Sequence, residues 1–172
     1  PSGVITKKSA ITFVVFNSLL FILSSYLINW TCFILSPVAL LIILGYSYTK
    51  RFTWLCHIVL GLGLSLAPIG AYIAVTGVIN INIIALGMVV MFWVAGFDII
   101  YALQDEDFDK NNDLHSIPVF LGKQKGLILS RLFHFLAAII LMFTIYLLHI
   151  DTGYIHWLSY VGVFIFISML IY

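Results

Sequence analysis

Residues 81–100 read INIIALGMVVMFWVAGFDII, and these twenty positions contain a single charged side chain, Asp98. About 20 apolar residues in a helix match the thickness of the hydrocarbon core of a bilayer. In lipid, every backbone N–H and C=O group needs a partner within the protein, so a segment this apolar is predicted to be helical. The stretch therefore predicts a transmembrane helix.

Similar apolar stretches make up most of the remaining chain. Of the 172 residues, 63% are hydrophobic and 9% are charged, and the mean hydropathy is +1.15. A soluble domain carries about 25% charged residues, so this composition excludes both a soluble domain and a disordered chain. We predict an all-α, polytopic transmembrane helical bundle with six spans, at residues 10–28, 32–48, 54–76, 81–100, 126–149 and 157–172.

The basic residues predict how the spans are oriented. Seven of the eight Lys and Arg residues lie before the first span or in alternate connections, and Arg131 lies near the same side at the start of the fifth span. The other connections, around residues 29–31, 77–80 and 150–155, contain neither Lys nor Arg. Because Lys and Arg are enriched in cytoplasmic loops, the basic connections are predicted to be cytoplasmic.

Six of the seven carboxylates lie within residues 98–113, in the longest polar connection. A run of charges is often only a solvated loop. A carboxylate at the end of an apolar span is costly, however, and is typical of a functional site. At about 100° per residue, a continuous helix would place four side chains on one face: Asp98, Tyr101, Asp105 and Asp109.

Carboxylates on one helix face repel one another unless a cation neutralises them. Asp105 and Asp109 are one helical turn apart, so their oxygens could share a metal ion. Oxygen ligands without His or Cys suit Mg²⁺, which completes its coordination with phosphate oxygens of a substrate. We therefore predict a Mg²⁺–diphosphate site at the cytoplasmic membrane surface, with Asp98, Asp105 and Asp109 as the metal ligands.

A second polar element precedes the third span on the same predicted side. Tyr46 and Lys50 are four residues apart and can share a helix face, and Arg51 follows directly. A Lys–Arg pair at this boundary is commonly only a topology anchor. Next to an acidic metal site, cations and a phenol are also the groups that a departing diphosphate requires. Position alone leaves both interpretations open.

These motifs resemble those of the UbiA superfamily of intramembrane prenyltransferases, and the resemblance extends over essentially the whole chain. The acidic segment is similar to the family's second aspartate-rich motif, and residues 46–51 are similar to its Tyr-x-x-x-Lys element. Residues 67–70, Ala-Pro-Ile-Gly, resemble a stretch of the 4-hydroxybenzoate branch. The matching positions of the second motif and its trailing loop are Asp98, Tyr101, Ala102, Gln104, Asp105, Asp109, Ser116, Ile117, Pro118 and Gly122.

The resemblance implies a single transmembrane prenyltransferase domain over residues 1–172, with an active-site loop at about 98–125. Family members have nine helices, and their first aspartate-rich motif would precede Pro1. Residues 1–3, Pro-Ser-Gly, resemble the segment after that motif. We therefore expect the chain to be an internal or C-terminal piece of a longer protein, with six of nine spans, and to be inactive alone.

The implied reaction is Mg²⁺-dependent transfer of a polyprenyl group from polyprenyl diphosphate to an aromatic acid, with the lipid bilayer as surroundings and no nucleic acid as partner. The expected acceptor is 4-hydroxybenzoate in quinone synthesis; the alternative is another aromatic acid in a menaquinone route. A bacterial inner-membrane protein is expected. The residues implied to bind the diphosphate or substrate are Tyr46, Lys50, Arg51, Tyr101 and Gln104, and those implied in catalysis are Asp98, Asp105, Asp109, Lys50 and Arg51.

Other functions and residues receive weaker support. A transporter would be expected to carry charges near the middle of the membrane, whereas the span centres here are almost entirely apolar. A lone His57 within a span is more often a packed residue than a ligand, and Lys123 and Lys125 are expected to be ordinary positive-inside charges. Glycines in the spans are expected to allow close helix approach, namely Gly61, Gly63 and Gly87.

Overall fold

The computed structural model describes residues 5–153 and 157–170. Within these residues, every regular secondary-structure element is a helix. The predicted motif residues 1–3 and the last two residues, 171 and 172, lie outside the described residues. The described residues form eight helices in this order: α1 Lys7–Ile28, α2 Trp30–Thr49, α3 Cys56–Thr76, α4 Ile81–Ala102, α5 Glu106–Asn111, α6 Ile117–Leu121, α7 Lys123–Thr152 and α8 Trp157–Leu170.

Five of the predicted spans are confirmed as helices that are long and apolar enough to cross a membrane, namely α1, α2, α3, α4 and α7. The sixth prediction covers α8, of which the structure describes 14 residues. Many large apolar side chains are exposed on the outer faces of these helices, such as Phe13 at 69% and Leu41 at 74%. These faces suit lipid, where exposed apolar side chains carry no hydrophobic penalty.

The long helices pack mainly against their neighbours in sequence. The most extensive contacts join α3 to α4 and α4 to α7, so that α4 lies between them. A core cluster of buried residues, Ala95, Ile99, Ile117 and Phe133, joins α4, the short helix α6 and α7. The short helices α5 and α6 therefore pack at one end of the bundle, where α4 ends and α7 begins.

Polar caps close the opposite end of the bundle. Asn29 separates α1 from α2, and its Oδ1 accepts a hydrogen bond from the Cys32 N–H at 2.8 Å. Its Nδ2 donates to the Ile73 carbonyl of α3, also at 2.8 Å. Gly77 ends α3 with a φ of 75°, a left-handed conformation that glycine adopts without steric cost. These contacts place the Asn29 and Gly77 connections together, away from α5 and α6.

One prediction about local structure is wrong. Asp98, Asp105 and Asp109 do not share the face of one continuous helix, because α4 ends at Ala102 and α5 begins at Glu106. Between them, the Leu103, Gln104 and Asp105 N–H groups bond to carbonyls three residues back. Such bonds tighten the last turn of a helix and redirect the chain. The break gives Asp105 and Asp109 surroundings that the helical periodicity does not predict.

Candidate functional site

A polar cavity of about 220 Å³ lies at the end of the bundle where α2 and α4 end and α3 begins. It combines the two elements that the sequence analysis selected separately, the end of α2 and the acidic segment after α4. Five of its lining residues are predicted site residues that carry a charge or a phenol, namely Tyr46, Lys50, Asp98, Tyr101 and Asp105. The complete lining consists of Tyr46, Ser47, Lys50, Cys56, His57, Asp98, Tyr101, Ala102 and Asp105.

Lys50 connects α2 to the acidic segment. Its Nζ lies 2.8 Å from Oδ1 of Asp109 in α5, and the Lys50 side chain is 34% exposed. The Lys50 carbonyl also accepts a hydrogen bond from the His115 N–H at 2.7 Å, which fixes the loop before α6 on the end of α2. Side chain and backbone together therefore hold residues 105–116 against the predicted diphosphate-binding element.

Asp109 is fully buried and does not belong to the cavity lining. An ionised carboxylate away from water requires a compensating charge, and the Lys50 ammonium supplies one. Neither carboxylate oxygen accepts a hydrogen bond that satisfies ordinary angular criteria from the described residues. The geometry thus pairs Asp109 with Lys50, whereas the sequence analysis expected it to share a metal ion with Asp105.

Asp98 lines the cavity from the last turns of α4, and its partner is His57. His57 Nδ1 lies 2.7 Å from Asp98 Oδ2, and the His57 Nε2 lies 3.2 Å from the Ile117 N–H. His57 is 2% exposed, whereas the Asp98 side chain is 24% exposed. One carboxylate oxygen is therefore held from within the protein while the side chain retains contact with the cavity.

Asp105 occupies the N-cap position of α5 and is exposed to the same cavity as Asp98. Its side chain makes no capping hydrogen bond to the first turn of α5. Its carboxylate therefore remains available to a ligand in the cavity. Tyr101, also predicted, lies between the polar cavity and an apolar one and lines both.

The structure does not bring every predicted residue to the cavity. The Arg51 guanidinium lies 5.8 Å from the centre of the Tyr48 ring, an exposed cation–π contact. Gln104 is exposed in the turn after α4, outside the lining. Lys123 and Lys125 are exposed at the start of α7. Of the residues predicted to bind the diphosphate or substrate, the cavity lining therefore includes Tyr46, Lys50 and Tyr101, whereas Arg51 and Gln104 lie outside it.

Four cavity residues were not predicted as site residues, namely Ser47, Cys56, His57 and Ala102. Cys56 and His57 begin α3, and His57 in particular is brought to Asp98 from 41 residues away. The sequence offers one weak signal, which is a polar, ionisable residue in the first turn of an apolar span. No local spacing links His57 to the acidic segment, so only the packing of α3 on α4 reveals the pair.

The carboxylates of the polar cavity are the candidate ligands for a metal ion. Among residues 5–153 and 157–170, no group of three or more His, Cys, Asp or Glu side chains lies close enough to enclose a metal ion. Two carboxylates, those of Asp98 and Asp105, face the same cavity. Mg²⁺ is typically held by one or two carboxylates together with substrate phosphates and water rather than by a complete protein cage. The donor set therefore fits Mg²⁺ bound together with a phosphorylated substrate.

Two apolar cavities accompany the polar one. A cavity of about 480 Å³ adjoins it, because Asp98 and Tyr101 line both. Its other residues are apolar and come from α3 and α4, including Leu60, Leu64 and Phe97. A larger apolar cavity of about 530 Å³ lies between α1, α2, α3 and α4. The charged cavity and the apolar cavity of about 480 Å³ therefore lie side by side at Asp98 and Tyr101.

A model of the UbiA prenyltransferase family matches residues 1–172, the whole chain. The chain is similar to a 4-hydroxybenzoate octaprenyltransferase of Vesicomyosocius okutanii subsp. Calyptogena okutanii, with 30% identity over 76% of this chain and 48% of the relative. A 4-hydroxybenzoate octaprenyltransferase of Legionella pneumophila is 28% identical over 99% of this chain and 61% of the relative. The chain thus spans roughly half of the length of these curated relatives.

The fold is also similar to a solved structure, the apo structure of a UbiA homolog from Aeropyrum pernix K1. The TM-score is 0.85 and the sequence identity is 28%, over 98% of this chain and 62% of that chain. The similarity extends over nearly all of the chain and therefore includes the helices that build the polar cavity.

Proposed function

Because the chain belongs to the UbiA prenyltransferase family, we propose that it contributes one wall of a prenyltransferase site that transfers a polyprenyl group from polyprenyl diphosphate to an aromatic acid. The acceptor that the relatives' names support is 4-hydroxybenzoate. The reaction belongs to quinone synthesis, and the site faces the cytoplasm from the bacterial inner membrane. The orientation is supported by the Lys and Arg residues of the loops at the cavity end of the bundle.

The observation that carries this proposal is the junction between a charged cavity and an apolar cavity at Asp98 and Tyr101. Polyprenyl diphosphate has the same division, with a dianionic or trianionic head and a hydrocarbon tail. The reacting carbon lies at the boundary between the two parts. A site with Lys50 on one side of this boundary and apolar side chains on the other matches the distribution of charge in the substrate.

The carboxylates of Asp98 and Asp105 are the proposed Mg²⁺ ligands, since both face the polar cavity. When bound, Mg²⁺ would neutralise charge on the diphosphate and so make it a better leaving group. Asp109, the third ligand expected from the sequence, is proposed instead as the carboxylate that holds Lys50, because it is buried and paired with that residue.

Lys50 and Tyr46 are the proposed donors to the diphosphate. The ammonium has three N–H donors, so it can contact a substrate oxygen while it remains paired with Asp109. Negative charge accumulates on the diphosphate as its bond to the allylic carbon breaks, and donors already held in position stabilise that charge.

The proposal is tested in membranes that contain the complete natural protein carrying this chain. The membranes are incubated with Mg²⁺, a polyprenyl diphosphate and 4-hydroxybenzoate, and the lipid extract is analysed by mass spectrometry. We expect prenylated 4-hydroxybenzoate. A product formed only with a different aromatic acid would support the chemistry and assign the acceptor to a menaquinone route. No product with any aromatic acid would contradict the proposed function.

Carboxylate variants test the metal assignment. We expect Asp98→Asn and Asp105→Asn each to reduce prenyl transfer at least about 100-fold, since each removes a charged ligand from the site. Asp107→Asn is the matched control, because Asp107 belongs to the same acidic segment but is exposed outside the cavity lining. It should change activity less than about twofold. Equal effects of all three substitutions would overturn the assignment.

A further inference from the structure

His57 links three separate elements of the site, because it belongs to one and its imidazole contacts the other two. His57 lies in the first turn of α3, its Nδ1 meets Asp98 of α4, and its Nε2 meets the backbone of Ile117 at the start of α6. The ring is 2% exposed, so water does not replace either contact. A buried ring with both nitrogens engaged is fixed in position as well as in orientation.

The two contacts also determine where the ring carries its proton. A backbone N–H group only donates, so the Nε2 that faces the Ile117 N–H at 3.2 Å must accept and carries no hydrogen. The proton of a neutral imidazole is then on Nδ1. That nitrogen lies 2.7 Å from Asp98 Oδ2 and donates to it. The tautomer thus follows from the fold of α6 and not from the carboxylate alone.

We propose that His57 is a positioning residue for Asp98: its Nδ1–H tautomer, set by the Ile117 N–H, occupies Oδ2 and leaves Oδ1 as the oxygen that serves the polar cavity. This inference rests on the proposed function in assigning a ligand role to Asp98. Its consequence is specific, since Asp98 then offers one oxygen in one direction. Removal of a group that orients a metal ligand typically lowers metal affinity or activity about 10- to 100-fold.

The same contacts couple the acidic site to the loop after it. The N–H of Ile117 is held by His57, while the N–H of His115 is held by the Lys50 carbonyl. Ile117 is fully buried in the core cluster between α4 and α7. The hydrogen bonds of His57 therefore fix the position of Asp98 relative to the bundle core. A side chain that only filled space would not fix it in this way.

The first test is spectroscopic and needs no substrate. The complete natural protein is labelled with ¹⁵N-histidine and measured by solid-state NMR in lipid bilayers, and His57 is assigned as the signal absent from the His57→Gln variant. We expect the tautomer with hydrogen on Nδ1. A tautomer with hydrogen on Nε2 would overturn the proposal, whatever the outcome of the activity assay.

The second test separates hydrogen bonding from packing. His57→Phe keeps an aromatic ring but loses both nitrogens, whereas His57→Gln retains one amide donor for Asp98 and one oxygen acceptor for Ile117. We expect prenyl transfer, per folded protein, to fall about 10- to 100-fold in His57→Phe and to stay within about threefold of wild type in His57→Gln.

Folded protein is quantified in both variants by thermal unfolding in detergent. Equal losses in the two variants at equal thermal stability would overturn the proposal, because the hydrogen bonds would then not matter. Full activity of His57→Phe would overturn it as well. Failure of the proposed function is a separate result, since it would appear as the absence of product in the wild-type protein while the tautomer measurement still stands.

Discussion

Replacing Lys50 by methionine is expected to abolish most prenyl transfer and to destabilise the protein at once. The activity should fall about 100- to 1000-fold, because a charged donor to the leaving diphosphate is removed. Lys50→Met also leaves the fully buried Asp109 carboxylate without its cation. Because Lys50 is partly exposed, the loss of unfolding free energy is expected to be about 1–3 kcal/mol, below the cost for a fully buried pair.

The double variant Lys50→Met/Asp109→Asn separates the two effects. Removing both charges eliminates the buried unpaired carboxylate, so thermal stability in detergent should recover most of the loss. Prenyl transfer should remain as low as in Lys50→Met, because the donor to the diphosphate is still missing. Recovery of activity in the double variant would show that Lys50 acts only as a structural partner of Asp109 and would contradict its proposed role.

Gly61→Ala is expected to cause the largest loss of stability among Gly→Ala substitutions at the helical glycines that the structure describes. A Cβ at Gly61 of α3 would overlap the Met91 carbonyl of α4, and this neighbour is backbone, so a rotamer change cannot relieve the clash. The α3–α4 contact must then widen, and it is one of the two most extensive in the bundle. We expect a loss of at least about 2 kcal/mol and reduced yield of folded protein.

Gly63→Ala is the matched control, two residues further along the same helix. No described atom lies within 4 Å of a Cβ built at Gly63, so the added methyl group meets no neighbour. Its thermal stability should equal or slightly exceed that of wild type, since alanine is the better helix former. If Gly61→Ala and Gly63→Ala unfolded at the same temperature, the close approach of α3 and α4 at Gly61 would be refuted.

These glycines show how far the sequence can be interpreted. Gly61, Gly63 and Gly87 were predicted alike to allow close helix approach, and the structure distinguishes them. Gly61 faces the α4 backbone, Gly87 faces the flexible end of the Ile69 side chain, and Gly63 faces open space, so the prediction is wrong for Gly63. Their local sequences are too similar to distinguish them. Which glycine faces a neighbouring helix depends on the rotation of the helix about its axis, and that rotation depends on all of the helix's contacts.

The acidic segment shows a different limit. Composition and spacing selected Asp98, Asp105 and Asp109 as candidate metal ligands and predicted that they share one helical face, which the structure contradicts. The polar turn at residues 103–105 ends α4, and Asp109 consequently faces Lys50 instead of the cavity. Helical periodicity is informative only while the helix continues, and this helix ends at Ala102, before Asp105 and Asp109.

Hydropathy is a property of consecutive residues, so the sequence alone predicts an all-helical membrane protein with six spans, of which five are confirmed. The sequence also identified the two polar elements that meet at the cavity. The pairing of side chains, by contrast, is visible only once the helices are packed: His57 meets Asp98 across 41 residues, and Lys50 meets Asp109. The physical reason is that lipid solvation fixes where a helix lies along the chain, whereas its rotation and its neighbours are fixed by close packing between distant segments.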